Sequence, residues 1–255
     1  MNTDEILSYW EGLWTKDDYY VYHDISLNTD GISQLLLTAL KFIDEGSTLL
    51  EIGSGPGTRS IPIAKDKGLQ LTLVDKLESA HNIARKRAER YGVQCGYVVG
   101  DAIALPLENE SYDVVLSIGL NEHFFGTNRY NVFSEMHRVT KKGGRTVVIV
   151  PNKYGTIRLE QVIKEANGTW MFGPTDLFNH KELKAAVESF KFSHIEMYGV
   201  SAITSFVRLL PQKMQRAIFK NEKLWTTLVN LPGNFGVKSN TNKYFGEEIM
   251  AVGYK

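Results

Sequence analysis

A short strand-like run followed by three closely spaced glycines is the feature that most constrains this chain. Residues 48–52 are mostly apolar, which is typical of a buried strand in a parallel sheet. Gly53, Gly55 and Gly57 follow at alternate positions, and a residue without Cβ is needed where the backbone turns sharply or touches a ligand. Residues 58–67 predict a helix. Together these parts form a cradle for a small ligand, because backbone N–H groups and the positive end of the helix dipole face it.

The spacing of the glycines separates two kinds of cofactor loop. The dinucleotide pattern G-x-G-x-x-G requires its third glycine where this chain has Thr58. The pattern here is E-x-G-x-G-x-G, from Glu51 to Gly57. It resembles the first motif of the class I S-adenosylmethionine-dependent methyltransferases. The loop alone leaves open a purely structural turn in another kind of α/β protein.

The length and the composition of the chain are typical of a globular protein. The 255 residues suffice for one large α/β domain, and the formal net charge of zero gives no global attraction to nucleic acid or membranes. Cys95 is the single cysteine, which excludes an intramolecular disulfide and a thiolate metal cluster. The histidines lack metal-ligand spacing, so no metal is expected. With no signal peptide or apolar stretch of membrane length, the sequence predicts a cytoplasmic protein.

The periodicity of the sequence indicates a core with additions at both ends. We predict a single domain with four parts: an N-terminal cap segment at 1–30, a nucleotide-binding core at 31–200, a helical insertion at 201–245 and a last strand at 246–255. The segment 9–24 is acidic and aromatic, whereas 211–231 predicts a basic helix. We expect these two to form opposite walls of a cap over the acceptor site. A basic amphipathic helix lying on a membrane, where it collects a lipid-like acceptor, is the alternative.

Two carboxylates follow the next two predicted strands. Residues 69–74 predict a second strand ending in Asp75, and a carboxylate there can accept both hydroxyls of a ribose. An aspartate that caps the next helix is the alternative. That helix is predicted to end at Gly92 and to carry His81 on a solvated face. A third strand is predicted at 97–99, and Asp101 follows it.

A fourth strand strengthens the resemblance. Residues 105–107, Leu-Pro-Leu, and 111–117, Ser-Tyr-Asp-Val-Val-Leu-Ser, are similar to the approach to this strand in the same family. A helix at 127–140 with Tyr130 facing inward and a Lys-Lys-Gly-Gly hinge at 141–144 precede a predicted fifth strand. From about residue 49 to residue 150, the chain resembles a class I S-adenosylmethionine-dependent methyltransferase of the small-molecule, methyltransferase-11-like type.

The resemblance implies a fold and a cofactor. The fold is α/β, a Rossmann-like doubly wound sheet of seven strands, mostly parallel with the last strand antiparallel, with helices on both faces and N-terminal and late helical cap additions. The last strand, at 248–254, lies between the fifth and a sixth at 194–200. The cofactor is S-adenosyl-L-methionine, with S-adenosyl-L-homocysteine as product. In the family an acidic residue after the third strand takes the adenine amino group, and the next N–H reaches a ring nitrogen. The residues expected to bind the cofactor are Glu51, Gly53, Ser54, Gly55, Gly57, Asp75, Lys76, Gly100, Asp101, Ala102, Ser117 and Gly119.

The residues after the fourth strand are expected to meet the acceptor. His123 is a candidate general base or orienting group, because imidazole titrates near working pH, and Glu122 is the second catalytic candidate. A structural histidine that caps the turn is the alternative. The chain lacks here the Asn/Asp-Pro-Pro-Tyr/Phe motif of enzymes that methylate base or glutamine amino groups, which disfavours nucleic-acid and protein acceptors. The predicted acceptor pocket contains Trp14, Tyr19, Tyr20, Phe124, Tyr154 and Trp170.

These features predict transfer of a methyl group from S-adenosylmethionine to a small-molecule acceptor by in-line displacement. Two alternatives stay open: a protein that binds the cofactor without turnover, and a methyltransferase for a lipid-like or macromolecular acceptor. We expect a monomer or homodimer with no nucleic-acid partner, and peripheral membrane contact is not favoured. The atom that is methylated is not predicted.

Overall fold

One seven-stranded sheet organises the molecule. The computed structural model describes residues 3–15, 27, 30–170, 172–200, 210, 212–221, 223–224, 227 and 240–255. The sheet has the order β3-β2-β1-β4-β5-β7-β6. Its strands are β1 Thr48–Ile52, β2 Gln70–Asp75, β3 Cys95–Val99, β4 Tyr112–Ile118, β5 Thr140–Pro151, β6 His194–Val200 and β7 Glu248–Tyr254. β7 pairs antiparallel with both β5 and β6, and the other pairs are parallel, so the predicted fold class is confirmed.

Helices cover both faces of the sheet. They are α1 Thr3–Thr15, α2 Gly31–Ala39, α3 Ser60–Lys67, α4 Glu78–Tyr91, α5 Gly126–Val139, α6 Thr156–Ala166, α7 His180–Glu188, α8 Gln212–Lys220 and α9 Asn240–Phe245. Alternate side chains of a strand point to opposite faces, and accordingly Leu49 and Leu50 of β1 belong to two different apolar clusters. The first cluster includes residues of α2, α3 and α4, and the second includes residues of α5 and α7.

Two side chains lie on faces that the sequence analysis did not predict. His81 of α4 is fully buried rather than solvated, with its ring 5.6 Å from that of Tyr97. It precedes the buried Ala84 by three residues, which puts it on the inward side of a helix with about 3.6 residues per turn. Tyr130 was predicted to face inward but is 54% exposed. It lies about 120° around α5 from the buried Met136, and its ring packs against Phe190 at 4.7 Å.

The Lys-Lys-Gly-Gly hinge is part of β5 and does not precede it. β5 begins at Thr140, which pairs with Tyr112 of β4, and the register then shifts before Val114 pairs with Arg145. The Gly143 amide donates to the Lys255 carbonyl at 2.8 Å. The hinge therefore carries a bulge that joins the sheet to the end of the chain.

Parts of the predicted cap fall outside the described residues. Of the helix predicted at 211–231, α8 is described from Gln212 to Lys220, while Trp225 and the side chain of Phe219 lie outside. The two-walled cap and the division into four parts therefore stay predictions. No helix in the described part of the chain is both long enough and apolar enough to cross a membrane.

The contact between β6 and α9 gives a stability prediction. A Cβ on Gly199 would overlap the backbone carbonyl of Asn242, whereas a Cβ on Gly12 would meet nothing within 4 Å. Overpacking against backbone costs about 1–3 kcal/mol or more. We expect Gly199→Ala to lower the free energy of unfolding by about 2 kcal/mol or more, measured as the midpoint of urea unfolding at unchanged slope. Gly12→Ala is the matched control, and an equally small effect of both changes would contradict the close packing.

Candidate functional site

The glycine loop after β1 adopts the backbone conformation for which its glycines were predicted. Gly53, Gly55 and Gly57 have φ of +64°, +50° and +60°, a region that residues with a Cβ rarely enter. A Cβ on Gly57 would also lie 2.8 Å from the Ile61 side chain, and one on Gly53 would lie 2.5 Å from Leu120. Both conformation and space therefore require glycine, and the loop exposes backbone rather than side chains to a ligand.

Asp75, at the end of β2, tethers this loop. Its Oδ2 accepts the Gly55 N–H at 2.8 Å, and its Oδ1 accepts the Leu77 N–H at 3.0 Å. Burial raises the pKa of the Asp75 carboxyl, although the hydrogen bonds from these two amides lower it. The side chain thus holds the loop and the amide of the residue just before α4, and its role towards a ribose stays a prediction. An ionised carboxylate has about four lone-pair sites, which leaves acceptor capacity for ligand hydroxyls.

Glu51 is buried beneath the loop. The Ser60 hydroxyl, at the start of α3, donates to its Oε2. Burial raises the pKa of Glu51 to about 7, with opposing effects from the Ser60 hydrogen bond and the charge of Arg59. Arg59 in turn pairs with Asp30 at 2.9 Å. The motif's acidic residue therefore links the strand to the helix on either side of the glycine loop.

Lys76 and Asp101 meet at the neighbouring strand ends. The Lys76 ammonium lies 2.8 Å from Asp101 Oδ2, and the Ile103 amide donates to Oδ1 at 3.2 Å. Partial burial raises the pKa of Asp101, but the hydrogen bonds from Lys76 and Ile103 bring it below its ordinary value. Ala102 is buried beside it. A Cβ on Gly100 would lie 2.8 Å from Pro106, so this turn also requires a glycine.

The end of β4 shapes the turn that carries the two catalytic candidates. Ser117 is fully buried, and its hydroxyl donates to Asn121 Oδ1 at 2.6 Å. Gly119 has φ of +63° and donates its N–H to the Ile149 carbonyl at 2.9 Å. A 3₁₀ turn, Asn121–His123, follows. The hydroxyl of Ser117, predicted to bind the cofactor, is thus engaged in fixing this turn.

Glu122 and His123 are both buried, and burial moves their pKa values in opposite directions. Glu122 is 3% exposed, and its Oε2 has no hydrogen-bond partner among the described residues. Burial raises the pKa of Glu122 to about 8, against smaller lowering effects of its own amide and the charge of Arg129. Burial lowers the pKa of His123 to about 4, opposed by a hydrogen bond to the Pro174 backbone. Nδ1 of His123 has no hydrogen-bond partner in the described part of the chain.

Four rings form a chain of contacts that reaches His123 through Trp10, and we call them the aromatic cluster: Trp10, Trp14, Trp170 and Phe172. Trp10 is central, with its ring 5.6 Å from Trp14 in a stacked arrangement, 6.1 Å from Phe172 and 5.9 Å edge-on to His123. Trp170 packs edge-on against Phe172 at 5.1 Å. The cluster therefore brings α1 and the segment after α6 to the turn that follows β4.

α1 also lies directly over the glycine loop. The Trp14 ring is 3.3 Å from the position that a Cβ on Gly55 would take. The Ser79 hydroxyl of α4 donates to Glu11 Oε2 at 2.7 Å. One helix thus touches both the predicted cofactor loop and the predicted acceptor turn.

The predicted acceptor pocket is assembled only in part. Trp14 and Trp170 do come together, and Trp10 and Phe172, absent from the predicted pocket, join them. The place of Trp10 beside Trp14 could have been predicted, because residues four apart lie on the same face of a helix. No local sequence pattern predicted that Phe172 would join them. Phe124 packs on the core beside the turn. Tyr19 and Tyr20 lie outside the described residues.

Tyr154 does not belong to this cluster, which corrects the prediction. It is 61% exposed and lines a separate cavity of about 270 Å³ with Asn179, His180, Lys181 and Tyr244. The reason is that β5 continues to Pro151 and the chain then turns towards α7, with the Lys153 amide bonded to the Phe178 carbonyl at 2.8 Å. A larger cavity, of about 710 Å³, lies at the amino ends of β1, β2 and β3, the opposite edge of the sheet from the glycine loop. No group of three or more His, Cys, Asp or Glu residues within the described ranges is arranged to hold a metal ion.

Comparisons with known proteins agree with this geometry. A family model described as a methyltransferase domain matches residues 49–144. A ubiquinone biosynthesis O-methyltransferase of Paramagnetospirillum magneticum is 42% identical over 31% of each chain. A ubiquinone/menaquinone biosynthesis C-methyltransferase of Roseobacter denitrificans is 34% identical over 41% of this chain and 42% of its own. The chain thus spans between about a third and a half of the curated relatives it matches.

Solved structures match over more of the chain. A possible histamine N-methyltransferase of Thermotoga maritima has a TM-score of 0.65 at 19% identity and covers 98% of this chain and 99% of its own. Phosphoethanolamine N-methyltransferase 2 of Haemonchus contortus, in complex with S-adenosyl-L-methionine, has a TM-score of 0.65 at 19% identity over 97% of this chain and 60% of its own. At these identities the two structures establish the fold, and the family match assigns residues 49–144 to a methyltransferase domain.

The opposite pKa shifts predict how stability depends on pH. Glu51 and Glu122 have folded-state pKa values of about 7 and 8, against an ordinary pKa of 4.5. Their contribution to the free energy of unfolding is therefore lost as pH rises from 4.5 through these folded-state values. His123 has a folded value of about 4 against 6.5, so its contribution is lost as pH falls through that range. Above pH 6.5, only the two carboxyls among these three groups still titrate.

We therefore expect the urea midpoint to fall between about pH 6.5 and pH 8.5. Glu122→Gln removes one titrating group and should make this fall shallower, whereas Glu108→Gln, at an exposed position, should leave it unchanged. Equal slopes for the wild type and Glu122→Gln would show that the folded-state pKa of Glu122 is not raised.

Proposed function

We propose that this chain, which carries a class I S-adenosylmethionine-dependent methyltransferase domain, transfers a methyl group to a small-molecule acceptor held between α1 and the Glu122–His123 turn. The observation that carries the proposal is the adjacency of two features. A left-handed glycine loop ends β1, a buried carboxyl and imidazole follow β4, and β1 and β4 are paired neighbours.

The residues at the strand ends fit S-adenosylmethionine. The loop from Gly53 to Gly57 offers bare backbone for close approach, and the free lone pairs of Asp75 suit the two hydroxyls of a ribose. Asp101, with the Ala102 amide next to it, would take the adenine edge, and Lys76 holds that carboxylate in its ionised form. When bound, the cofactor supplies a methyl carbon on a sulfonium, and the electron pair of the broken bond leaves with sulfur as a neutral thioether.

The aromatic cluster would enclose the acceptor. Its rings, on α1 and at Trp170 and Phe172, reach His123 through Trp10 and would exclude water from the reacting atoms. Holding the two reactants in line is the main task of such a site, and positioning of this kind can supply about 7–11 kcal/mol of a barrier.

Glu122 is the better proton acceptor of the two catalytic candidates. A general base is most effective when its pKa lies near the working pH, and the pKa of about 8 for Glu122 meets this condition. The pKa of about 4 for His123 makes its imidazole a weak base at neutral pH. We assign to His123 the role of a neutral group that orients the acceptor through its free Nδ1.

A small-molecule acceptor is supported from two sides. The curated relatives are named for methylations in ubiquinone and menaquinone biosynthesis, and the aromatic cluster offers ring surface beside the turn after β4. A more lipid-like acceptor is the second candidate, because α6 exposes Leu159, Val162 and Ile163 by 49%, 45% and 49%. Sedimentation with liposomes would test that candidate.

The direct test of the proposed function is product formation. The purified chain is incubated with S-adenosylmethionine and matched panels of amines, phenols and quinols, and S-adenosylhomocysteine and methylated products are measured by mass spectrometry. Turnover with any acceptor separates an enzyme from a protein that merely binds the cofactor. Absence of binding of either S-adenosylmethionine or S-adenosylhomocysteine would reject the proposal.

A first variant tests the cofactor loop. Asp75→Ala removes the tether of Gly55 and the acceptor for ribose hydroxyls, and hydrogen bonds to a charged group contribute about 1.5–3 kcal/mol each. We expect the affinity for S-adenosylhomocysteine to fall by at least about tenfold, measured by calorimetric titration. Asp66→Ala, an exposed aspartate on α3, is the control. Unchanged affinity in Asp75→Ala would remove this residue from the cofactor site.

A second pair of variants separates the catalytic candidates. Loss of a general base typically costs about 10²–10⁴ in rate, so Glu122→Gln should lower kcat by at least about 100-fold with the true acceptor. His123→Ala should affect mainly KM. The two kcat values are compared from pH 6 to 9 on variants with native thermal stability. If His123→Ala lost more kcat than Glu122→Gln, the histidine would be the base.

A further inference from the structure

The turn after β4 presents two buried polar atoms without a hydrogen-bond partner. Oε2 of Glu122 and Nδ1 of His123 both lack a partner within the described part of the chain. Buried polar atoms are nearly always paired in native proteins. Two adjacent buried atoms without a partner therefore indicate a polar ligand that bonds to both.

The cation nearest to Glu122 is committed elsewhere. Arg129 donates through Nε to the Phe124 carbonyl at 2.8 Å and through a terminal nitrogen to the Asp176 carbonyl at 2.8 Å, and it pairs with the Asp176 carboxylate at 2.8 Å. Its guanidinium also lies over the Phe178 ring, 4.3 Å from the ring centre. Asp176 points its own amide at the Glu122 backbone carbonyl. Arg129 thus leaves Oε2 of Glu122 without a charged hydrogen-bond donor.

The aromatic cluster adds a second, independent preference. Indole faces attract cations through the ring quadrupole, and tryptophan does so most strongly. Trp10 and Trp14 lie side by side on α1, and Trp10 touches the imidazole of His123. A group bound at this turn would therefore lie near both an indole pair and a carboxyl.

From these contacts we propose that the acceptor is a protonated primary or secondary amine, which donates its N–H groups to Glu122 and His123 against the faces of Trp10 and Trp14. The inference rests on the proposed methyl transfer and names its acceptor class. A phenol or alcohol carries no positive charge for the indole rings and the carboxylate, so it matches the turn less well.

Glu122 also completes the chemistry that an amine needs. An ammonium has no lone pair, so one N–H proton must leave before nitrogen can form a bond. That proton passes to the Glu122 carboxylate, the electron pair of the N–H bond stays on nitrogen, and ammonium and carboxylate become amine and carboxylic acid. The positive charge that nitrogen regains on receiving a methyl group stays on the product, and Glu122 returns its proton to solvent.

Binding without turnover tests the inference. The protein is saturated with S-adenosylhomocysteine and titrated by calorimetry near pH 7 with three probes of equal size: 2-phenylethylamine, 2-phenylethanol and 4-ethylphenol. We expect the amine to bind at least about tenfold more tightly than the other two. Buffers of different ionisation enthalpy give the number of protons exchanged. About one proton should be released when the amine binds, since the empty site holds a neutral Glu122.

Variants assign these effects to residues. Glu122→Gln should lose both the preference for the amine and the proton release, while Glu108→Gln keeps both. Trp10→Leu, which keeps apolar bulk, should lose the preference but keep the proton release. If Glu122→Gln does not fold, two measurements still test the amine acceptor: the number of protons that the wild type releases on binding the amine, and the binding preference of Trp10→Leu.

The outcomes distinguish this inference from the proposed function. Equal or tighter binding of the alcohol or the phenol, or amine binding without proton release, overturns the amine acceptor and leaves methyl transfer standing. Failure to bind S-adenosylhomocysteine at all rejects the proposed function itself.

Discussion

The parallel pairing of β1 with β4 is the contact on which the candidate site depends. Ile52 is in register with Ser117, so the glycine loop and the turn with Glu122 and His123 leave the sheet side by side. At the other end of these strands, Asp113 accepts both the amide and the hydroxyl of Thr48, at 2.9 and 2.6 Å, and pairs with Lys141 at 3.0 Å. This clamp joins β1, β4 and β5 at their amino ends. Strand order reverses between β1 and β4, the point where open α/β sheets bind their ligands.

The local part of this arrangement was predictable from sequence. Gly53, Gly55 and Gly57 must be glycine because each adopts a left-handed conformation. A requirement of this kind is visible in the sequence, because it fixes the residue type at individual positions. The bounds of β6 and β7 were predicted as found, because both are short segments of strand length in which apolar residues recur. The antiparallel place of β7 came from the family resemblance and was confirmed.

What was not predictable depends on contacts between distant segments. Phe172 reaches Trp10 only because the chain after α6 returns to the face covered by α1, and no local pattern encodes that path. Tyr154 was assigned to the acceptor pocket on sequence position, but the turn after β5 directs it elsewhere. The ranking of Glu122 above His123 as proton acceptor likewise depends on burial, which shifts the two pKa values in opposite directions and is not visible in a pair of adjacent residues.

The position of α1 couples the glycine loop to the turn that carries His123, so changes in this helix affect both. Trp14 rests on the loop at Gly55, and Trp10, one helical turn earlier, rests on His123. A substitution that tilts or shifts this helix moves both rings at once. Under the proposed function, a change in α1 that suits a new acceptor would therefore also disturb the loop proposed to bind the donor. Trp170 and Phe172 lie outside α1 and contact rings of the cluster, so they are the part of the proposed acceptor wall that can change independently of this helix.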